Sequence, residues 1–409
     1  MNKKLSVNME LEEIQNELSK KDRLNNDYLV LRGNNEDWYV TFNGIFKNKV
    51  KLIYLDPPYN TKRSRGARKN YLDTNSNWDK NIFNTIKKAY EYLTEDGFLA
   101  ISINQMELFT LKNILDEVFN KESFVGIFPI KIRHHERQLM INATFHDVYE
   151  YLLIYRKNKT TRFINKMGKP RMEKFIYKIK IKEDKPIVKN VGGKKIEIYE
   201  TNQYEIIKDK PSMKNFRRYI IAGKIATANW SGEVYEKHLK KLGTDKLIKV
   251  YGLDKKWKGF RWFITGNHKR KSGVYFQPAE SAGRPILFSN HIDYTDIVTN
   301  VYKEGGEGID FKDSKKPEVL LNLLMEMTTK EGDLVMDLFG GSGTTLAVAV
   351  KKNRNCILIE NNADFIDIIK KRLDNIKSGK DLDEVKYNFN YNYFDSTSEW
   401  KNPTFLKKS

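Results

Sequence analysis

Short apolar runs alternating with stretches of helical spacing constrain this chain more than any other feature. Tyr28-Leu29-Val30-Leu31, Val50 to Leu55, Phe98 to Ile103, Val148 to Tyr155, Leu334-Val335-Met336 and Cys356 to Ile359 are rich in β-branched and aromatic residues, as buried strands are. Between the second and third runs, Ile82, Phe83, Ile86, Ala89, Tyr90 and Leu93 recur at the spacing of one helical face, and Leu108 to Phe119 repeats the pattern. Further helices are expected over Leu11 to Lys21, over Pro317 to Thr328, from Thr344, and from near Ala363 to a stop before Gly379. Strands alternating with helices predict a parallel α/β sheet.

That pattern is interrupted. From Lys159 the chain turns to short basic and aromatic stretches broken by Gly192-Gly193, Asp209-Lys210-Pro211 and Gly266-Asn267, and the α/β pattern begins to return only around Asn290. Charge follows the same division. The formal net charge is +20, and residues 159–285 hold 32 Lys and Arg against 12 Asp and Glu, which leaves the flanks neutral. One segment carrying the whole excess is suited to a polyanion, whose condensed counterions are released on binding. The expected organisation is therefore two halves of one α/β domain, residues 1–158 and 286–380, around a mixed basic module at 159–285. The polar and aromatic tail, 381–409, has no assignment.

No apolar run reaches the ~20 residues of a membrane span, and the basic start lacks the apolar core of a signal peptide, so a soluble cytoplasmic protein is expected. The single cysteine, Cys356, lies in an apolar run and excludes an internal disulfide. The six histidines, among them His134, His135 and His146, lack the spacing of a zinc motif, and no metal is expected.

Two constellations carry chemistry. Asp56-Pro57-Pro58-Tyr59 follows the run Val50 to Leu55 directly. Proline cannot continue a central ladder, so these residues leave the strand as a rigid exit with an acid and an aromatic ring, suited to an amino group on a flat base. The second constellation is Asp337-Leu338-Phe339-Gly340-Gly341-Ser342-Gly343-Thr344-Thr345, after a strand and at the start of a helix. Its glycines let a ligand approach closely, and the helix N-terminus offers unpaired N–H groups. Glu360 ends the next strand, 17 residues beyond Gly343, where a carboxylate can accept from ribose hydroxyls. Thr344 after Gly343 excludes a P-loop, and Thr344-Thr345-Leu346 breaks the dinucleotide fingerprint. A glycine turn and a ribose acid without phosphate machinery fit S-adenosylmethionine.

With these residues in order, the chain resembles the β-class amino DNA methyltransferases, most closely the Mod subunits of type III restriction-modification systems. The resemblance is carried by Leu55 to Thr61, Gly97 to Asn104, Tyr151 to Asn158, Phe311 to Leu320, Phe339 to Thr345 and Glu360, covering about Tyr28 to Asn158 and Gly305 to Leu373. It implies a Rossmann-like S-adenosylmethionine-dependent methyltransferase fold with an inserted target-recognition domain. It implies a catalytic role for Asp56, Pro57, Pro58 and Tyr59. Phe339, Gly341, Ser342, Gly343 and Thr344 would make the cofactor turn, Asp337 would support it, Glu360 would hold the ribose, and Ser314, Lys316 and Pro317 would line the methionine end. Asn34 stands in Gly33-Asn34-Asn35, where relatives usually carry Gly-Asp-Asn, and Tyr149 where many Mod subunits carry histidine. Phosphate contacts are expected from Lys214, Arg217, Arg218, Lys269, Arg270 and Lys271, with Trp257, Trp262 and Tyr275 interleaved.

The implied reaction is N6 methylation of an adenine flipped out of double-stranded DNA, with Tyr59 stacked on it. Trp78 would either cover the approach or lie in the core. Cytosine N4 methylation, and a non-catalytic DNA-binding subunit with this fold, are the alternatives, and RNA is a weaker substrate class. Asp rather than Ser at position 56 favours adenine by resemblance. A restriction subunit and a second copy of the chain are the implied partners, in a prokaryotic or phage setting.

Overall fold

The computed structural model describes residues 27–42, 44–59, 78–136, 144–214, 218–224, 233–253, 259–266, 273–281, 283, 285–295, 301–311 and 315–396. The chain divides into two compact units, residues 1–164 with 288–409, and residues 165–287.

The first unit is built on one nine-stranded sheet. Its strands are β1 (Asp27–Arg32), β2 (Val50–Leu55), β3 (Leu93–Ile103), β4 (Phe124–Lys131), β5 (Tyr149–Arg156), β6 (Ile292–Asp293), β7 (Leu334–Asp337), β8 (Asn355–Glu360) and β9 (Asn390–Asp395). The spatial order is β6-β4-β5-β3-β2-β7-β8-β1-β9, parallel throughout except for β5, which runs antiparallel to β3 and β4. Helices α1 (Asn35–Phe42), α2 (Trp78–Tyr92), α3 (Leu108–Phe119), α4 (Glu318–Thr328), α5 (Thr344–Lys351) and α6 (Ala363–Ser378) complete it.

The period-2 geometry of the strands divides the core between the two faces of this sheet. Leu29, Leu31, Ile53, Leu55, Leu99 and Ile101 pack with α1, α2 and α3, whereas Tyr28, Val30, Leu52, Tyr54, Phe98 and Ala100 pack with α4, α5 and α6. Each such Leu or Ile side chain removed from water contributes about 1.5 to 3 kcal/mol, which is why near-continuous apolar runs choose the interior of a covered sheet. The expected α/β architecture is thus found, its sheet mixed rather than wholly parallel because of β5.

Three details differ from the sequence reading. Strand β4 contains Pro129, which argues against a central strand; the protein places it beside the two-residue β6, near the edge. Strand β3 begins at Leu93 rather than Phe98, because a register shift opposite Val50 and Leu52 accommodates the polar residues Thr94 to Asp96. Residues of the tail also form β9, parallel to β1, with Phe389 edge-on to Tyr28 at 5.4 Å. The helix expected over Leu11 to Lys21 lies outside the described residues.

The second unit is largely β. An antiparallel eight-stranded sheet runs in the order Tyr204–Lys208, Tyr177–Ile181, Tyr219–Lys224, Val274–Pro278, Phe260–Ile264, Leu247–Tyr251, Lys194–Tyr199, Ile187–Val191. Gly192 and Gly193, at φ 54° and 71°, make the tight hairpin turn, whose two positive φ angles glycine adopts without strain. Ile196, Ile198, Ile248, Val250 and Phe263 form one core cluster with Tyr235 and Leu239, and Tyr199, Leu247, Trp262, Val274 and Phe276 form another. Among the described residues no helix is long and apolar enough to cross a membrane, and no group of three or more His, Cys, Asp or Glu could hold a metal.

Candidate active site

The strand order places the two constellations side by side. Neighbouring strands β2 and β7 pair in parallel, Ile53 with Met336 and Tyr54 with Asp337. From β2 the chain proceeds to β3 on one side, and from β7 to β8 on the other. A crevice opens at the carboxyl ends of two strands whose connections diverge in this way, and that is where α/β sheets bind ligands. Asp56 and the glycine turn both leave the sheet there.

Proline stiffens the first wall, and side chains brace it. The Tyr59 hydroxyl donates to Asp56 Oδ1 at 2.9 Å, and the Trp78 indole N–H donates to the Pro58 carbonyl oxygen at 2.8 Å. Trp78 is buried in the core, so it buttresses the exit from behind. Lys316 reaches in from the loop before α4: its Nζ donates to the Tyr59 hydroxyl at 2.8 Å, stands 3.3 Å from Asp56 Oδ1, and pairs with Glu150. Burial pushes the Tyr59 hydroxyl well above its ordinary pKa, and Asp56 and Glu150 add to the effect, so the phenol stays a donor. For Lys316, burial works to lower the pKa, but Asp56 and Glu150 outweigh it and keep the ammonium charged.

The second wall is a glycine turn tied to acids. Gly340 N–H donates to the Ile359 carbonyl oxygen and Gly343 N–H to that of Gly340, both at 2.8 Å. Gly343, at φ 75°, takes the left-handed conformation at the N-cap of α5. Asp337 is buried, accepting from the Phe339 N–H at 3.0 Å and the Thr345 hydroxyl at 2.5 Å, and burial pushes its carboxyl up to about 7. Glu360 is oriented by two backbone donors, Gly341 N–H at 2.6 Å and Asn362 N–H at 2.7 Å. Its own carbonyl oxygen accepts from Gly33 N–H at 3.1 Å, which brings exposed Asn34 to the same end of the crevice.

One polar chain ties the walls together. The Thr344 hydroxyl donates to the Lys316 carbonyl oxygen at 3.1 Å and stands 3.2 Å from the Ser342 hydroxyl. Arg372 of α6, 1% exposed, donates to the Ser342 carbonyl oxygen and to the Thr344 hydroxyl, and pairs with Glu318. Pro317 is the N-cap of α4, and Glu304 accepts from the N–H of Glu318 at 3.0 Å.

The structure therefore gathers Asp56, Pro57, Pro58, Tyr59 and Lys316 at one wall, and Asp337, Phe339, Gly341, Ser342, Gly343, Thr344, Glu360 and Asn34 at the other. Ser314 lies outside the described residues. In the second unit Lys214 is exposed, while Arg218 is ion-paired with Asp209. Arg217, Trp257, Lys269, Arg270 and Lys271 lie outside the described residues. Trp262 is buried against Tyr199 and Phe260, which makes it a core residue, and Tyr275 is half-buried with Arg261 over its ring. Glu150 and Arg372 escaped the sequence reading. The signal for Arg372 was a cation within the apolar stripe Ile366, Ile369, Leu373, Ile376; Glu150, next to Tyr149 at the start of an apolar run, gave none.

Comparison with known proteins identifies the family. A family model described as DNA methylase matches residues 50–371. The probable type III restriction-modification enzyme HindVI Mod subunit of Haemophilus influenzae is 28% identical over 83% of this chain and 49% of its own length. Type II methyltransferase M.EcaI of Enterobacter cloacae is 25% identical over 79% of this chain and 64% of its own. The chain thus spans about half the length of the first of these relatives. A solved structure of the DNA modification methylase TTHA0409 from Thermus thermophilus, complexed with S-adenosyl-L-methionine, is 14% identical over 91% of this chain and 99% of that one, with a TM-score of 0.43.

Proposed function

The chain belongs to the DNA methylase family, and on that premise we propose that it transfers a methyl group from S-adenosylmethionine to the exocyclic N6 of an adenine flipped out of duplex DNA. The observation that carries this reading is the adjacency of Asp56 and the glycine turn at the diverging carboxyl ends of β2 and β7.

The second wall fits the cofactor. A Cβ added to Gly341 would meet nothing nearer than 4.0 Å, so the turn leaves room for a ligand against its backbone. Phe339, Gly341, Ser342, Gly343 and Thr344 would hold it, with Glu360 on the ribose hydroxyls, Asn34 at the base end and Lys316 and Pro317 at the amino-acid end. When bound, S-adenosylmethionine supplies a methyl group already activated for displacement. The protein thus needs no covalent nucleophile, and buried Cys356 stays idle.

The chain's own work is done on the amine. Its lone pair is delocalised into the ring, which makes the free base a poor nucleophile. Asp56 and the Pro57 carbonyl oxygen accept hydrogen bonds from its two N–H groups, localise that lone pair and aim it, and the two prolines keep both acceptors still; with S-adenosylhomocysteine as the leaving group, the methylated nitrogen gives up one proton to solvent. Tyr59 offers its ring to the face of the flipped base. Asp at position 56, and the likeness to Mod subunits, support adenine over cytosine. Residues 165–287 hold 30 Lys and Arg against 12 Asp and Glu and act as the target-recognition domain, and a restriction subunit is the partner that the Mod likeness suggests.

The test is to incubate the protein with labelled S-adenosylmethionine and duplex DNA and to identify the labelled nucleoside. N6-methyladenine is expected. N4-methylcytosine would replace the adenine reading, and an absence of label would end the enzymatic one. Asp56→Ala should abolish transfer while binding of S-adenosylhomocysteine persists.

A further inference from the structure

We propose that Glu150 is a positioning residue of this site: it holds the Lys316 ammonium so that Asp56 keeps the capacity to accept a hydrogen bond from the target amine. The proposal rests on the methyltransferase reading above.

Topology brings Glu150 to the crevice. Strand β5 is the antiparallel member of its sheet, and its Tyr151 pairs with Ile103 at the carboxyl end of β3. The beginning of β5 therefore lies at the edge where β2 and β7 end. There Lys316 faces two carboxylates and a phenol, hydrogen-bonded to Glu150 and Tyr59 and 3.3 Å from Asp56 Oδ1. The side chains of Lys316, Asp56 and Glu150 are 14%, 24% and 24% exposed, so water screens this cluster incompletely.

The charge balance gives Glu150 its role. An ammonium has three donors and no acceptor. Glu150, Tyr59 and Asp56 share them, so Asp56 holds only part of the ammonium, and the two acids and one cation leave a net negative charge beside the base pocket. If Glu150 were neutral, Asp56 would be the one carboxylate left to balance Lys316 in this cluster. The Lys316–Asp56 pair, now shared and 3.3 Å apart, would then tighten, and the target amine would have to compete with a partly buried ion pair before it could bind. Removing a negative charge 150 positions into the chain thus silences an acid at position 56, with Lys316 as the intermediary.

The experiment is a double-mutant cycle on methyl transfer to duplex DNA, using wild type, Glu150→Gln, Lys316→Met and the double variant. Glu150→Gln should lower kcat by about tenfold to a hundredfold, the scale on which a misplaced reacting group acts, while KM for DNA moves far less. In the Lys316→Met background the same substitution should have almost no further effect on kcat, because the intermediary is gone. Thermal denaturation of the four proteins separates this pattern from loss of fold. An active wild type with Glu150→Gln unchanged in kcat overturns the role of Glu150 alone, as do losses that multiply in the double variant. A wild type that labels no nucleoside overturns the proposed function and this role with it.

Discussion

The Arg372 guanidinium donates to the carbonyl oxygen of Ser342 at 3.0 Å, from the buried face of α6 into the back of the glycine turn. A second bond from the same nitrogen reaches the Thr344 hydroxyl at 3.2 Å, and the other terminal nitrogen pairs with Glu318 at 2.5 Å. Loop backbone that must meet a ligand is thereby fixed from the core, whereas flexible glycines alone would leave it loose.

Arg372→Met should therefore damage both fold and site. Glu318 keeps Lys351, 2.9 Å from its other carboxylate oxygen, but the Ser342 carbonyl loses its buried donor, at a cost of about 1 to 3 kcal/mol. Urea unfolding measures that loss, and calorimetry with S-adenosylhomocysteine should show weaker binding in the fraction that stays folded. Arg372→Lys keeps the charge but not the fork, so it should recover stability better than affinity. Unchanged affinity in both variants would show that the turn holds its shape unaided.

Neighbouring glycines of the turn should fail differently. A Cβ at Gly340 would sit 2.3 Å from Leu358 Cδ2 and 3.1 Å from the Ile359 carbonyl oxygen, so Gly340→Ala overpacks the core and should cost about 1 to 3 kcal/mol. At Gly341 the space is open, and the cost to the fold is chiefly that of a left-handed φ of 50°, about 1 to 2 kcal/mol. The methyl group of Gly341→Ala instead occupies room meant for the ligand. Relative to the drop in stability, the drop in affinity for S-adenosylhomocysteine should be larger at 341 than at 340, and the reverse order would place the ligand elsewhere.

Asp337 should tilt stability with pH. Burial, reinforced by Asp56 and Glu360 and opposed by the Thr345 hydroxyl and Phe339 N–H, pushes its carboxyl up to about 7. In the unfolded chain it titrates near 4, so the folded state binds this proton more tightly. Its contribution is therefore complete below about pH 4 and is lost as pH rises through about 7. Between pH 5 and 8 the wild type should lose about 2 to 3 kcal/mol relative to Asp337→Asn, in which this position does not titrate. Parallel urea curves for the two proteins across that range would refute the raised value.

Much of this arrangement was legible in the sequence because it is local. Apolar runs of period 2 or continuous burial identify β1, β2, β3, β5, β7 and β8, and the two constellations announce themselves by following two of them directly. What stayed hidden depends on partners distant in the chain. Glu150 is an unremarked acid until an antiparallel strand carries it to Lys316, 166 residues away. Strand β9 has alternating Tyr391 and Tyr393 but no strong apolar run, and it exists because β1 offers an unpaired edge and Arg32 a charge for Asp395 at 2.9 Å. In the second unit Trp262, a plausible stacking residue from composition alone, is buried in the sheet, where its ring packs with those of Tyr199 and Phe260.

DNA affinity should carry the electrostatic signature of the second unit. On the strand Tyr177–Ile181, Lys178 and Lys180 are exposed on the face opposite Tyr177, Ile179 and Ile181, which pack into the core cluster beneath. Two like charges held in register on one face are suited to successive phosphates, and each phosphate that the protein no longer neutralises should reduce the slope of log K against log salt by about 1. Lys178→Glu with Lys180→Glu should therefore weaken binding at low salt and flatten that slope by about 2, while S-adenosylhomocysteine affinity stays unchanged. If the double variant kept the wild-type slope, this face would lie outside the surface that meets the phosphates. If the wild type itself showed no salt dependence, the basic unit would not be the part of the chain that binds DNA.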